Sequence, residues 1–221
     1  MIAAETRELA GFARQLSARR PVAAPVRYAE EGELQGRRWL LAANGPGPRL
    51  AAAAVQAFSK PDRIVSVGYC GALDPALSPS DVVICHCVLE AESGRRFATA
   101  DEFGALCLSG DRVIQSASEK QMLGQTTGAS IVEMEAAGVA AQAAAIGVAF
   151  HCIKVVTDTA YEDMGVDFNA ARDADGRFRL GQIAWSAMRR PHQGIPELLK
   201  LNERARAATA RLGGYLGQHA F

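Results

Sequence analysis

Acidic side chains stand where two apolar strands are predicted to end, and they are well suited to acid–base chemistry. Asp158 follows the apolar, β-branched stretch Phe150–Val156. Glu133 and Glu135 flank Met134, where a short apolar strand becomes an Ala-rich helix. A positioned carboxyl group can protonate a leaving group, and a carboxylate can bind sugar hydroxyls. Each acid also has a structural explanation, because aspartate caps turns and the helix dipole favours acids in a first turn.

Two glycine-containing segments at other predicted strand ends could approach a ligand closely. The segment Gly68-Tyr69-Cys70-Gly71 follows the apolar strand Ile64–Val67, and glycines three residues apart let a backbone turn sharply. The segment Ser109-Gly110-Asp111 follows a second, shorter strand. Taken alone, each segment is also explained by an ordinary turn.

Strand and helix patterns alternate along the whole chain, and several strands are apolar throughout. The predicted strands are Val26–Tyr28, Arg37–Ala43, Ile64–Val67, Val82–Leu89, Cys107–Ser109, Ile131–Val132 and Phe150–Val156. The predicted helices are a stripe from Leu9 to Leu16 stopped by Arg20-Pro21, then Arg49–Phe58, Glu135–Ile146 and Pro196–Leu216. This alternation predicts one α/β domain over residues 1–221 with a buried sheet and helices on both faces. Ligands in such folds bind beyond the carboxyl ends of strands.

Composition and charge exclude several classes of protein. Of the 221 residues, 49% are apolar and 22% are charged, which is typical of a globular chain. Lys plus Arg and Asp plus Glu both number 24, so the chain lacks the basic excess of a nucleic-acid binder. Its apolar runs are too short to span a membrane, and no secretory signal is recognisable. Five scattered cysteines predict reduced thiols in a cytoplasmic protein.

The cysteines do not predict a metal site. Cys85-His86-Cys87 lies on a predicted strand, so the two thiols should share one face and His86 should point to the other. No second pair with zinc-type spacing follows, and packing is the favoured interpretation. His151 and Cys152 fall inside an apolar strand and are predicted to lie in the core.

Taken together and in this order, the segments at the strand ends resemble the nucleoside phosphorylase/nucleosidase superfamily. That group contains methylthioadenosine/S-adenosylhomocysteine nucleosidases and purine nucleoside phosphorylases. The resemblance runs from about Ala3 to Ala160 and is strongest in Gly68–Leu73, Leu108–Ile114, Val132–Ala141 and Ile153–Ala160. It implies a three-layer α/β/α fold with a central mixed sheet, and an enzyme that cleaves the N-glycosidic bond of a purine nucleoside. It also implies a homodimer or larger homo-oligomer, a small-molecule nucleoside as partner, and no cofactor.

The resemblance assigns roles to individual residues. Asp158 matches the acid that hydrogen-bonds purine N7. Met134 and Glu135 match the residues that pack under the ribose and bind its hydroxyls, with Glu133 as their companion. The remaining substrate-binding positions implied by the resemblance line the base pocket or the glycine segment, and they are Val113, Ile114, Gly68, Tyr69, Cys70 and Gly71.

The nucleophile distinguishes the two activities of the family. A nucleosidase uses water activated by a glutamate near the N-terminus, and both Glu5 and Glu8 match that position. We favour Glu5, because Ala-Ala-Glu matches the branch of the family associated with hopanoid biosynthesis. A phosphorylase uses inorganic phosphate as co-substrate, often with a small hydroxyl residue where this chain has Tyr69. Two prolines in Asn44–Pro48 also remove amide donors, so hydrolysis is favoured.

Substrate identity and activity leave alternatives open. Gly71-Ala72-Leu73-Asp74-Pro75, Ser118-Glu119-Lys120 and the tail from Asp175 to Leu198 resemble the hopanoid branch, whose members release adenine from adenosylhopane. Methylthioadenosine, S-adenosylhomocysteine and adenosylhopane are therefore the candidate substrates. A phosphorylase and a catalytically silent nucleoside-binding protein are the alternatives. The second is motivated by the short stretch Met1-Ile2, where the family has its first strand.

Overall fold

The computed structural model describes residues 1–59, 61–173, 176–179, 181 and 191–219, with the side chains of 191–195 and 197 excepted. Its strands are β1 (Ile2–Ala3), β2 (Ser17–Pro21), β3 (Tyr28–Leu34), β4 (Arg37–Ala43), β5 (Arg63–Ala72), β6 (Val82–Glu90), β7 (Arg96–Ala98), β8 (Ala105–Ser109), β9 (Ile131–Glu133) and β10 (Ala149–Asp158). Its helices are α1 (Thr6–Ala13), α2 (Pro48–Gln56), α3 (Ala117–Thr127), α4 (Ala136–Ile146) and α5 (Pro191–Gln218). Asp175 and residues 182–190, in the tail that resembles the hopanoid branch, lie outside the described residues.

All these strands join one mixed sheet in the order β10-β6-β8-β9-β5-β1-β4-β3-β2, and β7 pairs with the second half of β6 outside this order. Strand β5 is its centre, because it pairs in parallel with β1 and β10 and antiparallel with β9. The β10–β5 pairing closes β10, β6, β8, β9 and β5 into a ring. Because β9 runs antiparallel to β5, the end of β9 lies against the body of β5 instead of beyond its carboxyl end.

Side-chain alternation along the central strands creates two apolar layers. Val65 and Ile153 face one layer, in which α1 and α5 pack through residues such as Leu212. Ile64 and Cys152 face the opposite layer, in which the Ala-rich helices α2 and α4 pack. The predicted three-layer α/β/α class is confirmed.

Several element boundaries differ from the predictions. Strand β5 continues through Gly68-Tyr69-Cys70-Gly71, so the predicted turn there is wrong. Gly68 has a φ of 145°, a conformation that side-chain-bearing residues rarely adopt, which explains a glycine inside a strand. Helix α1 ends at Ala13, before the predicted end at Leu16, and Ser17–Pro21 forms the edge strand β2.

The predicted placement of Cys85 and Cys87 on one face is also wrong. The pairing of β6 with β8 shifts register between these two residues. The buried face therefore carries Val83, Cys85 and Val88, while Cys87 is only partly buried. His86 is exposed, as its predicted orientation away from the core requires.

Helix α3 was not predicted from periodicity, although its ends carry ordinary signals. Ser116 is its N-cap, and its hydroxyl accepts a hydrogen bond from the Glu119 N–H at 3.3 Å. Gly128 ends the helix in the left-handed conformation, with a φ of 73°. The helix lacks an apolar stripe, and its one buried residue is Lys120. In the part of the chain that the structure describes, no helix is long and apolar enough to cross a membrane.

Candidate active site

Glu8 is buried against the middle of β5. Helix α1 follows β1 directly, so its first turn lies over the sheet and directs Glu8 inward, with 5% of the residue exposed. The Oε1 atom accepts a hydrogen bond from the Tyr69 N–H at 3.0 Å. A Cβ atom at Gly68 would lie 2.9 Å from this oxygen, so only glycine permits the close approach. Burial raises the pKa of the Glu8 carboxyl, while its two backbone N–H partners and Lys154 partly offset that rise.

Glu5 contributes its backbone to this arrangement. It is the half-buried N-cap residue of α1, and its N–H donates to Glu8 Oε2 at 2.7 Å. Of the two glutamates that match the water-activating position, Glu8 is therefore the one whose carboxylate lies against the glycine segment. The preference for Glu5 in the sequence analysis is not supported by this geometry.

Glu133 is engaged by the protein itself. Its oxygens accept hydrogen bonds from the N–H groups of Glu135 and Ala136 at the start of α4. Its Oε2 also lies 2.7 Å from Lys154 Nζ, and both side chains are almost fully buried. Lys154 further donates to Ser66 Oγ at 3.1 Å. Glu133 thus anchors α4 to the sheet beneath the site, as the structural interpretation of a helix-start acid predicts.

Glu135 reaches the turn-rich loop before α2. Its Oε1 accepts a hydrogen bond from the Gly47 N–H at 3.0 Å, and the residue is 6% exposed. Burial raises the pKa of Glu135 to about 8, and the negative charges of Glu133 and Glu8 add to the rise. Glu8 and Glu135 are therefore close enough to interact electrostatically. Met134, between the two acids of the motif, is buried with them.

Asp158 lies at the other end of the same β5 segment. It pairs in register with Gly71, where a Cβ atom would lie 2.9 Å from Asp158 Oδ2. The residue is 4% exposed, and its Oδ1 accepts a hydrogen bond from Thr157 Oγ1 at 2.8 Å. Gly68 and Gly71 are three residues apart, so Glu8 and Asp158 flank a stretch of about 10 Å along the strand.

Lys120 is the partner of Asp158 that sequence analysis missed. Its Nζ lies 2.5 Å from Asp158 Oδ2, and the lysine is fully buried. The same ammonium donates to the carbonyl oxygens of Thr159 at 3.1 Å and Glu162 at 3.0 Å. Asp158 is therefore held by a direct ion pair in addition to its burial. The caps of α3 at Ser116 and Gly128 were the available signals for the helix that carries this lysine.

The other predicted binding residues lie in different surroundings. The Tyr69 side chain points to α5, where its hydroxyl lies 2.6 Å from Thr209 Oγ1. The Cys70 thiol is in the apolar layer under α2 and α4, so only its backbone faces the site segment. Ile114 is packed in an apolar cluster with Leu73, Leu108, Ala129 and Val132. Half-buried Val113 exchanges two backbone hydrogen bonds with the amide of Asn169, each 2.9 Å long.

In the segment Ser109-Gly110-Asp111, the two polar side chains make separate structural contacts. The Ser109 hydroxyl accepts a hydrogen bond from the Ala137 N–H at 3.0 Å, so it helps to cap α4. Asp111 is an exposed residue whose Oδ1 pairs with Arg172 Nη2 at 3.2 Å. Arg172 Nη2 also lies 3.3 Å from where a Gly47 Cβ would be, so this ion pair covers the loop that holds Glu135.

One group of thiols has the composition of a soft-metal site. The Sγ atoms of Cys85, Cys107 and Cys152 lie within 4.8 Å of one another, and all three residues are buried. The three cysteines lie on strands β6, β8 and β10, and their thiols are close together because these strands are neighbours in the sheet. All five cysteines are free thiols. The trio belongs to the apolar layer beneath α2 and α4, on the same side as Cys70.

The fold is a three-layer α/β/α sandwich, and its buried acids Glu8, Glu135 and Asp158 form the candidate site beside β5. A family model described as the phosphorylase superfamily matches residues 1–104 and 99–187. The chain therefore belongs to the phosphorylase superfamily, and the resemblance stated from the sequence is confirmed. A comparison with curated protein sequences returns no match.

Solved structures share the whole fold at low sequence identity. A 5′-methylthioadenosine/S-adenosylhomocysteine nucleosidase from Neisseria meningitidis, in complex with methylthio-immucillin-A, is 23% identical with a TM-score of 0.73, covering 98% of this chain and 95% of that one. A putative nucleosidase of the same type from Borrelia burgdorferi, bound to adenine, is 13% identical with a TM-score of 0.75, covering 98% and 96%. Futalosine hydrolase from Helicobacter pylori is 15% identical with a TM-score of 0.68, covering 99% and 96%.

Proposed function

We propose that this protein hydrolyses the N-glycosidic bond of a 5′-substituted adenosine and releases adenine. The observation that carries the proposal is the Glu8 carboxylate, which is buried against Gly68 and accepts the Tyr69 N–H. A phosphate ion bound at this segment would need the same N–H donor and would be repelled by the carboxylate. Hydrolysis is therefore favoured over phosphorolysis.

The three buried acids suit the three requirements of this reaction. Glycosidic cleavage develops positive charge on the sugar and negative charge on the purine. A carboxylate whose pKa is raised by burial is a stronger base, so Glu8 is suited to take a proton from the attacking water. Glu135 is suited to accept hydrogen bonds from the ribose hydroxyls, and Asp158 to pass a proton to purine N7. These roles are carried over from the resemblance and fit the contacts of each side chain.

Adenine as the leaving base is supported by the similar structures, which include the 5′-methylthioadenosine/S-adenosylhomocysteine nucleosidase from Neisseria meningitidis and the putative one from Borrelia burgdorferi that is bound to adenine. The substituent at the 5′ position is to be found by assay of methylthioadenosine, S-adenosylhomocysteine and adenosylhopane. No step of the proposed reaction needs a metal or an organic cofactor. A cytoplasmic location and a homodimer remain predictions from the sequence.

The test is adenine release from each candidate nucleoside in phosphate-free buffer and with added phosphate. We expect equal rates under both conditions, and free ribose derivative as the second product. Strict phosphate dependence with ribose 1-phosphate formation would instead identify a phosphorylase. Nucleoside binding with no turnover under either condition would identify a silent binding protein, and the E8Q variant should then bind like the wild type.

A further inference from the structure

Lys120 is placed to deliver a proton into the candidate site. It is fully buried on α3, and its ammonium has three acceptors within hydrogen-bond distance. These are Asp158 Oδ2 at 2.5 Å and the carbonyl oxygens of Thr159 and Glu162 at 3.1 and 3.0 Å. A protonated amine has three N–H donors, whereas a neutral amine has two and would turn a lone pair toward one oxygen. With the proton on the amine, all three acceptors are satisfied and Lys120 and Asp158 form a buried ion pair.

An ionised Asp158 cannot assist the leaving purine without receiving a proton. Its lone pairs would face the lone pair of N7, and two acceptors repel each other. Thr157 has one hydroxyl hydrogen, which lies between Asp158 Oδ1 and the Cys70 carbonyl oxygen and serves to orient the carboxylate. Lys120 is the group in direct contact with Asp158 that carries a transferable positive charge. We propose, on the basis of the proposed function, that Lys120 supplies the proton that Asp158 passes to the departing purine.

The step balances in atoms and charge. The bond between C1′ and N9 breaks, and its electron pair goes to the purine. Asp158 gives a proton to N7 and receives one from the Lys120 ammonium, which becomes a neutral amine. The attacking water bonds to C1′ through its oxygen and gives one proton to Glu8. One proton has then moved from Lys120 to Glu8, and exchange with solvent restores both groups.

The other charged side chains near Lys120 and Asp158 form ion pairs of their own. On the loop after β10, the carboxylate of Glu162 binds Arg204 at 2.7 Å and Lys200 at 3.1 Å, both from α5. The Arg204 guanidinium holds the pKa of Glu162 well below its usual range, so Glu162 does not compete for the Lys120 proton. On α3 itself, Glu119 is paired with Arg112. On β5, the buried Cys70 thiol interacts electrostatically with Asp158, and burial together with that charge raises the pKa of the thiol well above its usual value.

The experiment compares K120M and K120R on two kinds of riboside. The first is an adenine nucleoside that the wild type cleaves, and the second is an aryl riboside whose phenolate leaves without a proton. At pH 8 we expect both variants to lose about 10²-fold or more in kcat for the nucleoside, because neither methionine nor arginine releases a proton. The aryl riboside should be cleaved within about threefold of the wild-type rate. The surface variant K200M is the matched control and should resemble the wild type on both substrates.

The pH profile separates proton supply from support of the fold. In K120M, acid in the medium can supply the proton to Asp158, so the K120M rate for the nucleoside, divided by the wild-type rate at the same pH, should recover between pH 8 and pH 5; the ratio cancels the titration of Glu8 and Glu135 that both proteins share. In K120R the guanidinium keeps Asp158 ionised, so the recovery should be smaller. Equal losses for both ribosides at every pH would overturn the proposal, and so would wild-type activity of K120M on the nucleoside.

A double variant keeps the test decisive if K120M does not fold. The pair K120M/D158N buries no unpaired charge, and it should cleave the nucleoside at the rate of D158N alone, because Lys120 acts through Asp158. A further loss in the double variant would overturn the proposal. Failure of the wild type to cleave any adenine nucleoside would instead reject the proposed function, so the two failures are distinguishable.

Discussion

The two ends of the candidate site hold their carboxyl groups in different ways. At one end, Glu8 and Glu135 accept hydrogen bonds from backbone N–H groups of Glu5, Tyr69 and Gly47. At the other end, Asp158 is ion-paired with the buried ammonium of Lys120. Backbone amides orient a carboxylate without a full opposite charge, and burial raises the pKa of both glutamates. The carboxyl groups of one site thus have different partners, which are backbone N–H groups at one end and an ammonium at the other.

Replacing the acid at the base end should have the largest effect. D158N removes the proton donor but keeps the shape of the side chain, so we expect kcat to fall about 10²–10⁴-fold with a much smaller change in KM. Adenine release measured by absorbance gives both constants. D62N, at an exposed loop position, is the control. Equal losses in kcat and in substrate affinity would mean that Asp158 only positions the substrate.

The matched pair E8Q and E5Q tests the sugar end and decides between the two glutamates. E8Q should lower kcat about 10²–10³-fold, because an amide cannot take a proton from water. E5Q should stay within about threefold of wild type, because Glu5 contributes a backbone N–H that the substitution retains. The measurement is steady-state adenine release in phosphate-free buffer. A larger loss in E5Q than in E8Q would restore the assignment favoured from the sequence.

Ribose recognition should show a smaller effect, confined to binding. Above about pH 8, where Glu135 is ionised, E135Q removes a charged acceptor; hydrogen bonds to charged groups contribute about 1.5–3 kcal/mol, so nucleoside affinity at that pH should fall roughly 10–100-fold. Calorimetry with a non-cleavable adenosine analogue measures it. A 2′,3′-dideoxy analogue is the control ligand, since it lacks the hydroxyls and should bind both proteins alike. Unchanged affinity for the hydroxyl-bearing analogue would remove Glu135 from the site.

The smallest expected effect is the contribution of Glu135 to the pH dependence of the folding stability. The pKa of Glu135 is about 8 in the folded protein against an ordinary value of 4.5. Between these values the folded state retains a proton that the unfolded state has released, so the stability contribution is complete below about pH 4.5 and is lost as pH rises toward 8. E135Q carries no such proton. The Tm of wild type minus that of E135Q should therefore fall by several degrees from pH 5 to pH 8, at roughly 2–4 °C per kcal/mol. A constant difference would contradict the raised pKa.

The pattern of apolar and polar residues correctly predicted those strands and helices whose formation depends on residues close in sequence. Strand β4 over Arg37–Ala43 and helix α4 with its Gly147 end follow from alternation, composition and a left-handed cap. The prediction of secondary structure failed where the conformation depends on side chains that are distant in sequence. Helix α3 has no apolar stripe, because its inward face carries Lys120, whose burial depends on an aspartate 38 residues away. The turn expected at Gly68 is instead a strand under the Glu8 carboxylate, a contact across 60 positions of sequence.

The sequence by itself determined the α/β class, the family, and which acids stand at the strand ends, since these depend on periodicity and on the order of short motifs. Only the tertiary structure decided which acid meets which partner. In the folded chain, Glu8 accepts a hydrogen bond from the Tyr69 N–H, Glu133 is ion-paired with Lys154, and Asp158 is ion-paired with Lys120. The physical reason is that the charge of a buried carboxyl group depends on desolvation and on charges a few ångströms away, which neighbours in sequence do not supply.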